Sequence, residues 1–186
     1  MNHSVWLLLV LFAARPLGAQ TVVRPEPILD SAQLALRDAI LVLRDSLVTI
    51  DGAAARLQRD YRATSGLSLV SRAKVMRDAC ARSIRTIPPT RQAVLVAQLA
   101  TRDQIRGREH LVVALDTLQG ALRWCQTEFA DMSKPEQAER IRDYGNDRAV
   151  TVLSAIRRYE QSLRDFMGLM GIPLTPLGAP PSALSG

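Results

Sequence analysis

From about residue 30 to residue 170, apolar residues recur at alternating intervals of three and four positions. This spacing matches the 3.6-residue turn of an α-helix and places one apolar seam along each helix. The pattern falls into four arms, at about residues 30–64, 68–101, 106–131 and 134–170. We therefore predict an all-α protein in which four long amphipathic helices bury their seams against one another, as one domain over residues 30–170.

The four seams consist mainly of large aliphatic side chains, with a few aromatic and small ones. In chain order they contain Leu36, Ile40, Leu43, Leu47, Ile50, Ala54, Leu57 and Tyr61; Leu69, Ala73, Met76, Cys80, Ile84 and Ile87; Leu111, Leu115, Leu118, Leu122, Cys125, Phe129 and Met132; and Gly145, Ala149, Val152, Ile156, Tyr159, Leu163, Phe166 and Met170.

Residues with capping and turn preferences mark the ends of these arms. Asp30 or Ser31 is the expected N-cap of the first arm. The run Ser133-Lys134-Pro135-Glu136 matches a capping box, in which the Ser and Glu side chains each bind a free backbone N–H. Residues 171–186 are rich in Pro, Gly, Ala and Ser, and we predict a disordered tail there.

Two places could reverse the chain between the second and third arms. A hairpin at Pro88-Pro89 would leave a following helix of about forty residues, roughly 60 Å long, opposite a partner of half that length. A kink at Pro88-Pro89, with the reversal in the polar stretch 102–108, instead makes the four arms comparable in length. The second arrangement predicts an antiparallel, up-down four-helix bundle whose second arm is kinked at the two prolines.

The chain has two cysteines, Cys80 and Cys125, and both lie on seams. The midpoint between them falls at residue 102–103, inside the polar stretch. Residues equidistant from a reversal lie at the same height on antiparallel helices, so we predict a disulfide between them. The alternative is a pair of buried free thiols that pack as small apolar residues.

The first nineteen residues are typical of a secretory signal peptide. An apolar run over residues 5–14 is about ten residues long, which suits a signal and is too short to span a bilayer. We predict cleavage after residue 19, a short lead over residues 20–29, export to the periplasm or the extracellular space, and no transmembrane segment in the mature chain. A retained membrane anchor is the alternative.

Positive charge is concentrated in one part of the chain. Residues 62–110 hold ten basic and three acidic groups, net +7, whereas residues 20–61 and 111–186 each have a net charge of −1. The basic candidates in and after the second arm are Arg72, Lys74, Arg77, Arg82, Arg85, Arg102, Arg106 and Arg108. They could form a docking surface for an anionic partner, or simply the solvated face of an Arg-rich helix. Nucleic acid is not expected as a partner, because the chain is predicted to be exported and no aromatic residues interleave with the charges.

No catalytic or metal-binding pattern stands out in the sequence. His110 is the only histidine after the signal peptide, so no zinc, copper or di-iron ligand set can be assembled around histidine. We expect no cofactor, no metal and no enzymatic activity. The leading hypothesis is an exported helical interaction or scaffold protein of the cell envelope, with oligomerisation possible. The alternative is a periplasmic chaperone or envelope-stress protein that binds unfolded clients.

Overall fold

The computed structural model describes residues 29–60, 65–175 and 177. The predicted signal peptide 1–19 lies outside the described residues, as does most of the lead over residues 20–29. The described chain forms four long α-helices and no strand: α1 is Ser31–Asp60, α2 is Gly66–Val96, α3 is Arg102–Met132 and α4 is Ala138–Leu169. A single 3-10 turn, Pro135–Gln137, lies between α3 and α4. None of these helices has an apolar stretch long enough to cross a membrane.

The seams predicted from the sequence form the core of the helical bundle. All seven seam residues of α3 are fully buried, and so are the seam residues of α1 from Leu36 to Leu57 and those of α4 from Gly145 to Phe166. On α2, Ile84 is only partly buried while Val94 is fully buried. Tyr61 lies outside the described residues. The prediction of an all-helical bundle with one shared core is confirmed.

Residues of neighbouring helices contact each other in reverse order along the chain. Later residues of one helix meet earlier residues of the next, and the same holds between α1 and α4, where Leu57 lies beside Gly145 and Arg44 contacts Glu160. The contacts join Asp60 to Arg72 and Ala39 to Thr90 between α1 and α2; Leu95 to Arg108 and Arg91 to Asp116 between α2 and α3; Glu128 to Arg148 and Leu169 to Gln104 between α3 and α4; and Arg44 to Glu160 between α1 and α4.

The link between α2 and α3 lies a few residues earlier than the polar composition suggested. Residues 97–101 are non-helical, whereas the stretch 102–108 forms the first turns of α3. The reason is a capping box at Thr101 that starts α3 at Arg102. The Thr101 side chain accepts a bond from the backbone N–H of Gln104, and the Gln104 side chain accepts one from the backbone N–H of Thr101. Asp30 forms the same reciprocal arrangement with Gln33 at the start of α1, so the predicted cap there is confirmed.

The capping box predicted at Ser133-Lys134-Pro135-Glu136 is wrong. Ser133 is the C-cap of α3, and its hydroxyl donates backward to the carbonyl of Ala130 at 2.7 Å. Lys134 precedes the 3-10 turn, and its side chain makes no capping bond. Because the hydroxyl is used to finish α3, it is not available to start α4.

The end of α4 turns the chain back onto the bundle. Gly171 has a φ of 68°, and its N–H bonds the carbonyl of Gly168 while that of Ile172 bonds the carbonyl of Met167. This is a Schellman motif, which needs a residue in the left-handed region and therefore favours glycine. The Ile172 side chain that follows is buried, at 2% exposure. The first part of the segment predicted as a disordered tail is thus packed, and residue 176 and residues 178–186 lie outside the described chain.

Candidate functional site

The two cysteines are joined in a disulfide between α2 and α3. The Cα atoms of Cys80 and Cys125 are 6.3 Å apart, and both side chains are fully buried in the core. The bond joins the middle of α2 to a point about three quarters of the way along α3 and therefore fixes their relative height. It also removes the only two thiols of the chain from nucleophilic or metal-binding chemistry.

The exposed basic face of α2 consists of Lys74, Arg82 and Arg85. All three side chains are exposed, and none of them pairs with a carboxylate of the described residues. At 100° per residue they fall within an arc of about 80° and span about 16 Å along the helix. The only acidic residue of α2, Asp78, lies in the same arc and pairs with Arg77 at 2.8 Å. The face therefore carries a clear net positive charge.

The remaining basic candidates are distributed over other parts of the bundle. Arg72 donates to Asp60 on α1 at 2.7 Å. Arg108 donates to the carbonyl of Leu95 at 3.3 Å and so ties α3 to the end of α2. Arg102 and Arg106 are exposed at the start of α3, and Arg106 lines a pocket beside α4. The eight candidates thus do not form one continuous patch, and Lys74, Arg82 and Arg85 are the members that face solvent together.

That pocket of about 250 Å³ lies between the start of α3 and the end of α4. His110 and Arg106 line it together with Asp103, Ser162 and Asp165. Although these residue types occur in hydrolase sites, no hydrogen bond connects His110 to Ser162 or to either carboxylate in the described chain. A nucleophile without a hydrogen-bonded base lacks the activation that such a site needs. No group of three potential metal ligands occurs among the described residues either.

A buried ion pair between α1 and α4 is the most unusual polar feature of the core. The Arg44 Nε and Nη2 atoms donate to the two carboxylate oxygens of Glu160, each at 3.0 Å, and both residues are about 95% buried. The same Nη2 donates to the backbone carbonyl of Thr175 at 2.7 Å. Buried charges are expensive unless paired and fully hydrogen-bonded, and here the second Nη2 hydrogen is used by the C-terminal segment.

Sequence reasoning missed this pair, although a signal for it exists. Arg44 lies four residues after Ile40, and Glu160 lies four residues after Ile156. Each also lies three residues before a seam leucine, so both charges occupy core spacing. Opposite charges at core positions of two helices indicate a buried ion pair. The signal lies in the positions of the two residues, so counting charged residues does not reveal it.

Tyr159 lies next to Glu160 and is fully buried, and its hydroxyl has no hydrogen-bond partner in the described chain. Burial raises the pKa of the Tyr159 phenol well above its ordinary range, and the nearby Glu160 charge raises it further. The raised pKa favours the neutral, protonated phenol. Its role is that of a large core side chain.

Comparisons of the chain with protein-family models, with curated proteins and with solved structures give no match. Function is therefore inferred from the residues of the chain itself.

Proposed function

We propose that this chain is an exported, non-enzymatic helical protein of the cell envelope that binds an anionic envelope component through the basic face of α2. The observation that carries the proposal is the exposure of Lys74, Arg82 and Arg85 without a carboxylate partner among the described residues. Arg91 and Arg140, in contrast, are paired with carboxylates of neighbouring helices. An unpaired cationic stripe on a rigid helix suits a surface or polymer with many negative groups.

Binding to lipid vesicles tests this proposal directly. Each Lys or Arg near an anionic surface contributes about 1 kcal/mol, so neutralising three should weaken binding to phosphatidylglycerol vesicles about 100-fold. The test variant is Lys74→Gln/Arg82→Gln/Arg85→Gln, and neutral phosphatidylcholine vesicles measure non-electrostatic binding. Unchanged affinity of this variant for the anionic vesicles would contradict the proposal.

A control variant with the same change in net charge distinguishes the effect of the basic face of α2 from the effect of the protein's total net charge. Arg59, Arg123 and Arg142 are exposed on α1, α3 and α4, and replacing all three with Gln leaves the face of α2 intact. This control should bind anionic vesicles nearly as well as the unmodified protein. An equal loss in both variants would mean that net charge alone causes the binding.

Export is part of this proposal and rests on the apolar run at residues 5–14 and the break that follows it. We expect the protein isolated from the producing cell to begin at Gln20, as read by N-terminal sequencing. A mature protein that still begins at Met1 and stays with the membrane fraction would instead favour a retained anchor.

We also infer that the four helices run alternately up and down. The reversed order of the contacts between neighbouring helices supports this arrangement, as does the short non-helical link at residues 97–101. A kink in α2 belongs to the same proposal, because Pro88 and Pro89 lie inside the helix and cannot donate to the carbonyls of Ile84 and Arg85. Residual dipolar couplings measured on either side of the prolines would give the angle between the two halves.

Client shielding is the second candidate function, and an apolar strip between α3 and α4 favours it. The strip includes Val113, which is 65% exposed, together with the partly buried Ala114 and the buried Ala155. Exposed apolar surface of this kind can hold an unfolded chain. Suppression of client aggregation at near-stoichiometric ratios, lost in a Val113→Ser variant, would support this function over the first.

A further inference from the structure

Two exposed aliphatic side chains of α2 lie beside its basic face. Leu67 is 67% exposed and Val75 is 39% exposed. At 100° per residue, Leu67 lies inside the arc of the basic face, and Val75 lies about 20° outside it. Both residues and the three cations precede the two prolines of α2, so they share one uninterrupted stretch of helix. The solvent face of this stretch therefore combines aliphatic with cationic side chains.

The core-facing side of α2 lies on the opposite side of the helix. Its fully buried residues include Leu69, Met76, Cys80 and Ile87. Their mean direction is about 180° from the centre of the basic face. Leu67 thus projects with the cations and away from the core. A single exposed aliphatic residue is common in proteins, but here two of them accompany three cations that pair with no carboxylate of the described residues.

An anionic lipid bilayer is a surface that interacts favourably with both kinds of side chain. Its headgroups attract Lys and Arg, and its acyl region lies directly beneath them. Long basic side chains can extend to the headgroups while shorter aliphatic side chains of the same helix face enter the apolar layer. A polyanionic polymer in water provides the negative charge but no apolar layer, so it would gain nothing from Leu67 and Val75.

We propose that α2 lies along the surface of an anionic bilayer, with its basic face against the headgroups and with Leu67 and Val75 inserted below them. This inference rests on the proposed function of the basic face and names lipid as the anionic partner. The strip from Leu67 to Arg85 is about 27 Å long. The acidic residue within it, Asp78, pairs with Arg77 at 2.8 Å, which offsets its repulsion from the headgroups.

A variant that lacks the aliphatic side chains but keeps every charge tests the insertion. Leu67→Ser/Val75→Ser should weaken binding to phosphatidylglycerol vesicles about 10-fold, because it removes the burial of apolar surface in the acyl layer. The loss should be largest at about 0.5 M NaCl, since salt screens the attraction to headgroups but not apolar burial.

A matched control removes two equally exposed aliphatic side chains elsewhere in the bundle. Val113 on α3 is 65% exposed and Val150 on α4 is 39% exposed. Val113→Ser/Val150→Ser should bind the vesicles as tightly as the unmodified protein. Residues 1–66 are the same in all these proteins, so the apolar run at residues 5–14 affects them equally. An equal loss in both double variants would overturn the proposal, because any exposed aliphatic residue would then serve.

A polarity-sensitive dye reports the insertion directly. Because Cys80 and Cys125 are joined in the disulfide, a thiol-reactive nitrobenzoxadiazole dye attaches only to a newly introduced cysteine. On addition of phosphatidylglycerol vesicles, the dye on Leu67→Cys should shift its emission to shorter wavelength and brighten several-fold. The dye on Val113→Cys should keep the emission it has in water.

The outcomes separate this inference from the proposed function. If Lys74→Gln/Arg82→Gln/Arg85→Gln weakens binding while Leu67→Ser/Val75→Ser does not, and the dye at residue 67 stays in water, the basic face binds an anionic partner without insertion and this inference is wrong. If the triple Gln variant binds the vesicles as tightly as the unmodified protein, the proposed function and this inference both fail.

Discussion

Arg44 on α1 and Glu160 on α4 form a two-point ion pair across 116 positions of sequence, and the pair is almost completely removed from solvent. Arg44 also connects the core to the C-terminal segment, because its Nη2 donates to the backbone carbonyl of Thr175. The stability of the bundle and the position of the segment should therefore respond together when the pair is changed.

Removing one partner of the pair should be far more harmful than removing both. Arg44→Ala or Glu160→Ala leaves an unpaired buried charge and should lower the free energy of unfolding by about 3–5 kcal/mol. Arg44→Met combined with Glu160→Leu should lower it much less, because apolar side chains of similar volume then fill the space. Urea unfolding of the four proteins measures the difference. The exposed residue Arg142, changed to Ala, should alter stability by less than about 0.5 kcal/mol.

Opening the disulfide should reduce stability without removing the fold of the four helices. The bond closes a loop with a sequence separation of 45, and the loss of such a cross-link costs about 3–4 kcal/mol on the chain-entropy model. Cys80→Ala/Cys125→Ala should show this loss in urea unfolding. In the unmodified protein, maleimide labelling under denaturing conditions should detect thiols only after reduction. Two reactive thiols before reduction would show that the bond is absent in the protein tested.

Removing the N-cap side chain of α3 should lower the free energy of unfolding more than removing the N-cap side chain of α2. Thr101→Ala removes the side-chain acceptor that bonds the N–H of Gln104, which should cost about 1 kcal/mol. Ser65 is the N-cap of α2 but makes no such bond, so Ser65→Ala should cost much less. Thermal unfolding of the two variants compares them. Equal losses would mean that the capping box at Thr101 contributes nothing.

Two glycines near the end of α4 should respond to alanine in opposite directions. Gly171 has a positive φ, which an L side chain adopts at a cost of about 1–2 kcal/mol, so Gly171→Ala should destabilise the protein. Gly168 lies inside α4, and a Cβ there would meet nothing within 4 Å. Gly168→Ala should therefore stabilise the protein by about 0.5–1 kcal/mol. Urea unfolding gives both signs, and an unchanged stability of Gly171→Ala would argue against the Schellman motif.

The turn between α3 and α4 should show a local pH response. The hydrogen bond from Lys134 holds the pKa of Asp131 below its ordinary 3.8, with smaller contributions from the charges of Lys134 and Arg140. Because the folded-state pKa is lowered, the stabilisation is present above pH 3.8 and is lost as the pH falls through the folded value. Lys134→Ala should raise the Asp131 pKa toward 3.8 in a carboxyl NMR titration, whereas Lys134→Arg should keep it low. An unchanged value in Lys134→Ala would assign the effect to Arg140.

The sequence by itself determined the four helices and the residues of their buried seams. Helical periodicity is local, since residues three and four positions apart share a face whatever the rest of the chain does. The pairing of Cys80 with Cys125 was also predictable, because both lie on seams and their midpoint falls within a few residues of the link between α2 and α3. The sequence predicted the link at residues 102–108, a few positions after its actual place at 97–101. The error arose because a polar stretch suits the exposed start of a helix as well as a loop.

Only the tertiary structure decided which polar groups meet across the bundle. Arg44 and Glu160 resemble other surface charges in a composition count, and Thr175 lies in a segment whose composition is typical of disorder. The tertiary structure likewise separated Lys74, Arg82 and Arg85 from cations such as Arg72, which Asp60 binds. The partner of each polar side chain depends on which helix faces are brought together. The periodicity along one helix does not determine the distances between side chains on different helices.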